Sequence, residues 1–349
     1  MQKKLLLILI VIVLVLASHL ITPSVENEGG KILTPTGALK IMQSTTLKKS
    51  IFVPYWSSLS NDKGANFDSY YYFGIAPTKD GSIENEIGLQ NKTIVDEVPE
   101  KQKKLVVRML DSAVNGALLS EKSAQNTFIS QTKEILSKNA FSGLVLDMEV
   151  PFTLQANKKE QITKFVQLIC TSVKTDYKTC DVLVYGDFSY RNRPYDLQAL
   201  SKVSDTILLM AYDLNKPGGE PGPNFNFEEK QKYGYDFKTM VQDVLVLVPK
   251  EKIEVVFGMY GYDWTLNDQG APLKSAKALS VSQIKTFVAN HSNLNFTQNE
   301  AKEKKIEYTD EEGRKHVLWY EDEESAAVKT TYLIEQGIGR VSFWAQSYF

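Results

Sequence analysis

Two carboxylates at the end of a short apolar segment are the residues best placed for acid–base chemistry. Asp147 and Glu149 end the segment 141–149, which is apolar from Leu144 to Leu146. In a β-strand, successive side chains point to opposite faces, so the two acids share one face with Cα atoms about 6.5 Å apart. Carboxylates this close raise each other's proton affinity, so one can stay protonated near neutral pH. Cleavage of a glycosidic bond requires such a proton donor.

Aromatic and polar residues stand at the ends of four other β-rich segments. Taken singly, each aromatic is more often core or rim packing than a ligand contact, and a lone acid at a strand end more often pairs with a lysine. Together they predict rings around an acidic pair, which suits a sugar, because pyranose C–H faces stack on aromatic rings and polar groups bind the hydroxyls. The residues are Tyr55, Trp56, Met210, Tyr212, Asp213, Tyr260, Tyr262, Trp264 and Trp344.

The elements that must position these residues are eight β-rich segments alternating with amphipathic helical patterns. This alternation predicts a parallel sheet with right-handed crossovers. An open doubly wound sheet is the alternative, but no glycine-rich phosphate loop follows the first segment. We therefore predict an α/β fold, a (β/α)8 TIM barrel, with its active site at the carboxyl ends of the strands. The β-rich segments are 51–56, 70–76, 105–110, 143–148, 182–187, 206–212, 253–260 and 340–344, and the helical patterns include 123–138, 158–172, 235–248 and 323–336.

The alternation is interrupted between the seventh strand and the last helix. Residues 265–321 contain a helical pattern at 280–290 and two short β-rich runs, 305–308 and 316–320, on either side of a turn at 310–313. We expect a small α+β insertion that walls one side of the barrel mouth.

The N-terminus has the pattern of an exported protein. Lys3 and Lys4 precede an apolar run from Leu5 to Ala17, which is the length of a signal-peptide core and short for a bilayer crossing. We expect residues 1–21 to be a signal peptide, with cleavage after Ala17, or else an N-terminal membrane anchor. Residues 22–46 then form a flexible linker and residues 47–349 the barrel. The protein is expected outside the cytoplasm, secreted or anchored to the outer face of the membrane, and to touch the membrane only through this segment.

Composition excludes several other functions. Lys+Arg 40 against Asp+Glu 42 leave a net charge of −2, without the basic excess of a nucleic-acid-binding protein. His19, His291 and His316 are too scattered for a metal site, so we expect no metal and no cofactor, and a monomer. Cys170 and Cys180 can form a bridge outside the cytosol or remain two buried thiols.

The strand-end residues resemble glycoside hydrolase family 18, the chitinase-like barrel family, and above all its bacterial branch of cell-wall and spore-cortex enzymes. The resemblance runs from Ile51 to the C-terminus. It rests on Tyr-Gly-Tyr-Asp-Trp after the seventh strand (260–264), Met-x-Tyr-Asp on the sixth (210–213), Trp344 on the eighth, and the segments 77–83 and 316–321. The combination is more specific than any one motif.

The strand-four motif of that family, Asp-Gly-x-Asp-x-Asp-x-Glu, is only partly present. Ser142 and Val145 replace the first two acids and Met148 the usual aromatic, whereas the terminal Asp147 and Glu149 remain. The resemblance gives Asp147 a buried acidic partner that Val145 cannot supply. We therefore expect reduced turnover or a shifted pH optimum.

The resemblance implies substrate-assisted, retaining hydrolysis. Glu149 would protonate the glycosidic oxygen and later activate water, while the acetamide oxygen of the substrate attacks the anomeric carbon. Asp147 would hold the acetamide N–H, Tyr212 would orient the acetamide, Asp213 would bind a sugar hydroxyl and Trp344 would floor the subsite.

The substrate implied is a β-linked N-acetylhexosamine polymer. The cell-wall branch favours peptidoglycan, with chitin fragments and N-linked glycans as alternatives. A catalytically weak or silent sugar-binding barrel is the alternative to an enzyme, and the retained Glu149 favours the enzyme.

Overall fold

A parallel sheet of eight strands closes into a barrel, as the sequence predicts. The structure, a computed structural model, describes residues 46–57, 67–84, 97–150 and 157–349. The sheet closes because β1 (Lys48–Pro54) pairs in parallel with β2 (Ser69–Pro77) on one side and with the last strand on the other. The remaining strands are β3 (Ile83–Glu84), β4 (Lys103–Met109), β5 (Gly143–Met148), β6 (Thr179–Tyr185), β7 (Ile207–Ala211), β8 (Ile253–Gly258), β9 (Tyr260–Leu266), β10 (Lys277–Ser280), β11 (Asn295–Gln298), β12 (Lys304–Thr309), β13 (Lys315–Tyr320) and β14 (Arg340–Trp344).

The barrel strands are β1, β2, β4, β5, β6, β7, β8 and β14. Around the barrel the order is β1, β14, β8, β7, β6, β5, β4, β2, and β3 adds only an antiparallel pair to the end of β2. Helices α1 (Ser112–Ser120) to α8 (Glu323–Glu335) follow the strands. The others are α2 (Lys122–Lys138), α3 (Lys158–Lys174), α4 (Leu197–Val203), α5 (Lys230–Tyr233), α6 (Phe237–Leu247) and α7 (Val281–Asn290). Helices α1, α4 and α5 were not predicted, because helices this short provide too few turns for a periodic pattern.

The strands are apolar on both faces because both faces are covered. Their outward side chains meet the helices. In α3 the buried Ile162, Phe165, Val166 and Ile169 recur at helical spacing, which makes one apolar stripe against the sheet. The inward side chains form a separate apolar layer across the barrel. Its buried members are Phe52, Tyr71, Phe73, Val106, Val145, Leu183, Leu208, Met210 and Val256.

Below this apolar layer, toward the amino ends of the strands, the barrel interior is polar. Lys104 forms a salt bridge with Asp181, Nζ to Oδ2 2.5 Å, and the hydroxyl of Tyr71 donates to Glu254 at 2.9 Å. Burial raises the pKa of the Glu254 carboxyl. The two-residue alternation of the strands thus stacks a polar level, an apolar level and the mouth residues above one another.

A disulfide links helix α3 to strand β6. Cys170 and Cys180 are bridged, with Cα atoms 5.3 Å apart, so the bridge rather than two free thiols is present. The cross-link closes a short loop, and the chain-entropy account assigns such a loop about 2–3 kcal/mol of stabilisation.

The insertion before the last helix is a five-stranded antiparallel sheet in the order β10, β9, β13, β12, β11, together with α7. The predicted helix and hairpin are both present, and Gly313 takes the left-handed conformation, φ +80°, in the hairpin turn. The sheet begins earlier than the pattern suggested. The seventh barrel strand ends at Gly258 rather than at Tyr260, and residues 260–264 belong to β9.

The change of direction at Gly258 has a steric reason. A Cβ atom on Gly258 would lie 2.6 Å from the ring of Tyr260 and 2.8 Å from Cβ of Tyr212. Only glycine lets the chain leave the barrel so close to these side chains.

The predicted signal segment and cleavage site, and almost all of the predicted linker, lie outside the described residues. In the part of the chain that is described, no helix has both the length and the apolar character needed to cross a membrane.

Candidate active site

The two acids of strand β5 lie at the carboxyl end of the barrel, as predicted. Asp147 is only 2% exposed, whereas Glu149, just beyond the strand, is half-buried. The hydroxyl of Tyr185 donates a hydrogen bond of 2.6 Å to Oε2 of Glu149. Sequence reasoning missed Tyr185, because the predicted fifth strand ran on to residue 187 and placed this tyrosine inside it. The strand in fact ends at Tyr185.

The charge of Asp147 is disfavoured by its surroundings. Burial raises the pKa of Asp147 well above its usual range, the carboxylate of Glu149 raises it further, and the guanidinium of Arg108 opposes both. Its Oδ1 atom has no hydrogen-bond partner among the described residues. Asp147 therefore holds a proton at pH values where an exposed aspartate would be ionised.

The residue below Asp147 is apolar. Val145 is fully buried in the inner layer, on the same face of β5. At this position the family motif has an acid that could share a proton with Asp147. In this chain the residue opposite Asp147 in the β4–β5 register is Arg108.

The turn after Glu149 is held by a second tyrosine that the sequence did not single out. The hydroxyl of Tyr195 donates to the carbonyl oxygen of Met148 at 2.7 Å and accepts from the backbone N–H of Val150 at 3.1 Å. The strand end that carries the acids is therefore fixed from the neighbouring segment.

Asp213 is positioned by two tyrosines and by its own backbone. Both Tyr260 and Tyr262 donate their hydroxyls to Oδ1 of Asp213, the latter at 2.7 Å. Asp213 takes the left-handed conformation, φ 58°, and its N–H donates to Oδ1 of Asn224 at 2.7 Å. Burial raises the pKa of Tyr260 and of Tyr212 well above the usual range, so both hydroxyls remain protonated donors.

A buried charged cluster stands behind Asn224. Glu303 accepts hydrogen bonds from the backbone N–H groups of Asn224 and Phe225, at 2.5 and 2.7 Å. Lys329 of α8 forms salt bridges with Glu303, at 2.8 Å, and with Glu321, all three side chains being fully buried. Burial, offset by Lys329, raises the pKa of Glu321 to about 8. This cluster joins the antiparallel sheet to the barrel, and through Asn224 it places Asp213.

The floor of the mouth is aromatic. Trp344, at the end of the eighth barrel strand, has its ring 4.6 Å from that of Phe73 and 6.4 Å from that of Trp56. Trp56 is 53% exposed, and its ring lies 4.9 Å from the ring of Tyr55. A cavity of about 490 Å³ continues from Trp344 to the antiparallel sheet. Its lining includes Tyr260, Tyr262, Leu279, Gln283 and Tyr348.

Two of the predicted substrate-contacting residues are buried in this structure. Trp264 is fully buried in the antiparallel sheet and donates its indole N–H to the carbonyl oxygen of Gly219 at 3.0 Å. Met210 is 3% exposed, within the apolar layer below the mouth. Both residues act as packing in this structure.

In the described part of the chain, no group of three or more His, Cys, Asp or Glu residues is arranged to hold a metal ion. His316 contacts two carboxylates. Its Nδ1 atom is 3.0 Å from Asp263 of β9, and its Nε2 atom is 3.3 Å from Asp310 in the hairpin turn.

Comparison with known proteins agrees with this geometry. Residues 79–348 match the sequence pattern of glycosyl hydrolases family 18. A provisionally named sporulation-specific glycosylase of Bacillus subtilis, YdhD, is 22% identical over 278 residues, which are 73% of this chain and 60% of that protein. The cortical fragment-lytic enzyme of Bacillus cereus is 25% identical over 341 residues, covering 90% of this chain and 73% of that protein.

One solved structure shares the fold of this chain. The group IV chitinase of Ostrinia furnacalis superposes with a TM-score of 0.76 at 16% identity, covering 87% of this chain and 93% of that one. At this identity the likeness concerns the fold, and it confirms the predicted barrel.

The raised pKa of Asp147 predicts a pH-dependent gain in stability for Asp147→Asn. The folded protein binds this proton more tightly than the unfolded chain, so above the unfolded pKa of about 3.9 wild-type stability falls with rising pH until the folded pKa is passed. Asparagine removes the ionisation. We expect the free energy of unfolding of Asp147→Asn to exceed that of the wild type at pH 7.5, where the unfolded chain has released this proton and the folded protein still favours it.

Denaturant unfolding at pH 4 and pH 7.5 measures this difference, which should nearly vanish at pH 4. Asp268→Asn, at an exposed loop position, is the matched control and should leave stability unchanged at both pH values. An Asp147→Asn variant no more stable than the wild type at pH 7.5 would show that Asp147 is ionised there without penalty.

Proposed function

The chain belongs to glycosyl hydrolases family 18 and is by family a glycosidase, and we propose that it hydrolyses peptidoglycan outside the cytoplasm. The observation that carries this proposal is the acid pair of β5, with Tyr185 on Glu149, at the centre of an aromatic mouth. The names of two relatives, a cortical fragment-lytic enzyme and a sporulation-specific glycosylase, favour peptidoglycan over chitin as the β-linked N-acetylhexosamine polymer.

Glu149 is the proton donor of the proposed reaction. Its half-buried carboxyl can reach a ligand in the mouth, and the hydrogen bond from Tyr185 occupies Oε2 and so fixes the side chain. The proton passes from Glu149 to the glycosidic oxygen as the bond to the anomeric carbon breaks. The resulting carboxylate then removes a proton from the water that completes hydrolysis, which restores Glu149.

We propose that the nucleophile is the acetamide oxygen of the substrate and that Asp147 holds the acetamide group in place. Attack by this oxygen on the anomeric carbon forms a cyclic oxazolinium ion with retention after hydrolysis. The unpartnered Oδ1 of Asp147 is available to accept the acetamide N–H. A buried acceptor that lacks a partner gains more from this hydrogen bond than a solvated one.

The rest of the mouth binds the sugar. Tyr212 offers a hydroxyl donor beside Asp147, and Trp344 and Trp56 offer ring faces. Asp213 remains the proposed hydroxyl ligand, and Tyr260 and Tyr262 fix its carboxylate by hydrogen bonding to one of its oxygens. Tyr55 extends the aromatic floor beside Trp56.

One observation favours a second candidate, a glycan-binding barrel with little or no turnover. The family motif has an acid at the position of Val145, and that acid could share a proton with Asp147. Val145 is apolar and cannot take part in this proton transfer. Measurable hydrolysis of peptidoglycan by the wild type separates the two functions.

The first test is Glu149→Gln. Glutamine keeps the size and can still accept from Tyr185 but cannot donate an acidic proton, so we expect glycan binding to persist while turnover falls at least about 10²-fold. Reducing-end release from purified peptidoglycan and a binding measurement on the same glycan check this. Glu251→Gln, an exposed position at the opposite end of the barrel, is the control and should keep full turnover. A Glu149→Gln variant as active as the wild type removes Glu149 from this role.

The second test concerns the acetamide. Without it the substrate has no internal nucleophile, so oligomers with free amines at the cleavage subsite should react far more slowly than their N-acetylated counterparts. A thiazoline mimic of the cyclic intermediate should inhibit. If Asp147 itself attacks carbon instead, deacetylated oligomers will be cleaved equally well and a covalent sugar will be trapped on the protein.

The third test concerns location. The basic residues before the apolar N-terminal run should stay on the cytoplasmic side, and the Cys170–Cys180 disulfide suits an oxidising compartment. A reporter active only outside the cytoplasm, fused after residue 46, should therefore be active. Loss of that activity when Lys3 and Lys4 are replaced with glutamate would tie export to the charged flank, whereas a silent wild-type fusion would contradict it.

A further inference from the structure

One arginine, Arg108, makes no hydrogen bond or salt bridge to any described residue, and it lies in the mouth. The sequence has five arginines, all within the described residues. Arg191 and Arg193 bind Asp187, Arg314 binds Asp310 and Arg340 binds Thr206. For Arg108 the contacts are with aromatic rings, the centre of its guanidinium lying 5.0 Å from the ring of Tyr55 and 5.5 Å from that of Phe73, and its charge also acts on Asp147.

Arg108 points into the mouth because of the strand alternation. It lies two residues after Val106, a member of the inner layer, so both side chains face the barrel interior. Its Nε atom is buried and makes no hydrogen bond to a described residue. The guanidinium therefore lies against the aromatic floor, on the residue opposite Asp147 in the neighbouring strand, and its Nε atom is withdrawn from water.

The local sequence explains why this cation is not neutralised from within. At the level where the family motif has an acid, β5 has Val145, and Asp147 opposite Arg108 is held toward its protonated form by burial. Among the described residues Arg108 forms no salt bridge. A guanidinium cannot give up its proton to avoid the cost of partial burial, so it remains a permanent positive charge.

A second unpaired cation lies across the mouth. The ammonium of Lys216 is 5.9 Å from the centre of the Tyr185 ring, and the hydroxyl of that tyrosine binds Glu149. Lys216 is exposed, and no described residue pairs with it in a salt bridge. Arg193, beside the same ring, is already neutralised by Asp187. Unpaired positive charge thus flanks the proposed catalytic acids on two sides.

We propose that Arg108, with Lys216 as a weaker second contact, binds a carboxylate of the substrate, so that this mouth selects an acid-bearing N-acetylhexosamine glycan over a neutral one. The proposal rests on the hydrolase function argued above and specifies the substrate class. A guanidinium binds a carboxylate through two parallel N–H···O bonds, stronger than its bonds to neutral hydroxyls. Peptidoglycan offers such groups on its stem peptides and, wherever a stem is absent, on the lactyl ether of its muramic acid, whereas chitin has none.

Arg108 could instead act only through Asp147, by favouring the ionised form of that side chain. The two roles differ in what they predict for a neutral substrate. A residue that tunes Asp147 affects every substrate alike and shifts the pH profile. A residue that binds a substrate carboxylate affects only substrates that carry one.

The experiment compares three forms of one glycan preparation: chains with intact stem peptides, chains stripped of stems with free lactyl carboxylates, and stripped chains whose carboxylates are converted to methylamides. Wild type should cleave at least one acidic form with a kcat/KM about 10-fold or more above that of the amidated form. Arg108→Gln should abolish this preference by lowering kcat/KM on the acidic form about 10-fold, as expected for loss of a charged hydrogen bond. Its rate on the amidated chains changes only through the pKa of Asp147, which Arg108 lowers, and should fall much less than the rate on the acidic form.

Arg108→Lys, which keeps the charge without the fork, should retain part of the preference. Lys216→Gln should reduce it less than Arg108→Gln. Lys202→Gln, an exposed position on α4, is the control for net charge and should leave all rates unchanged. The two acidic forms show whether the lactyl or the stem carboxylate is the group bound.

Equal wild-type rates on acidic and amidated chains would overturn the proposal, as would an Arg108→Gln variant that loses both rates equally with a shifted pH profile. Failure of the hydrolase function is distinguishable, because it leaves no turnover on any form. In that case, binding replaces turnover as the measurement. The dissociation constants of Glu149→Gln and of Glu149→Gln/Arg108→Gln are compared on stripped and on amidated chains, to see whether a preference for the acidic chains depends on Arg108. Only a preference for the acidic chains that disappears with Arg108 supports the proposal.

Discussion

Closure of the barrel is the constraint on which the rest of this structure depends. A closed parallel sheet needs every second residue of each strand to face inward, and the inward positions form stacked levels. One such row on β5 is Val145, Asp147 and Glu149, and the row beside it on β4 is Lys104, Val106 and Arg108. A shift of one residue in either strand would turn its functional side chains toward the helices. The apolar packing beneath the mouth therefore fixes the positions of the functional side chains above it.

The polar contacts of the mouth show how electrostatics and packing combine. Burial above the apolar layer has the largest effect on the pKa of Asp147 and raises it. The charge of Glu149 raises this pKa further, and the charge of Arg108 lowers it. A side chain poised in this way is destabilising to the fold and useful to the reaction, a trade-off common at active sites. The hydrogen bonds from Tyr185 and Tyr195 hold the strand end in place around this unfavourable group.

Much of this arrangement was predictable from local patterns. The strand-end acids, the eight barrel strands, the hairpin and the aromatic residues all carry a signal of period or spacing that a single sequence shows. What could not be predicted depends on contacts between distant residues. Glu303, Lys329 and Tyr185 carry no such signal in the sequence. Glu303 meets Lys329, and Tyr185 meets Glu149, only when the strands close. Trp264 belongs to a recognisable motif, yet it is buried because strand β9 of the antiparallel sheet begins at Tyr260. The alternation of apolar residues in the sequence could not distinguish β9 from the end of the preceding barrel strand.

The buried cluster of Lys329, Glu303 and Glu321 has a mechanical consequence. To swing the antiparallel sheet away from the barrel, the protein would have to separate Lys329 from its two carboxylates and expose or strand a charge, and breaking a buried ion pair in this way costs about 3–5 kcal/mol. The strand β9 adds a covalent restraint, because a single residue, Met259, separates it from barrel strand β8. The antiparallel sheet is thus a rigid side wall of the cleft. A ligand in the mouth therefore meets a wall whose position is already set, and little of its binding energy is spent on shaping the protein around it.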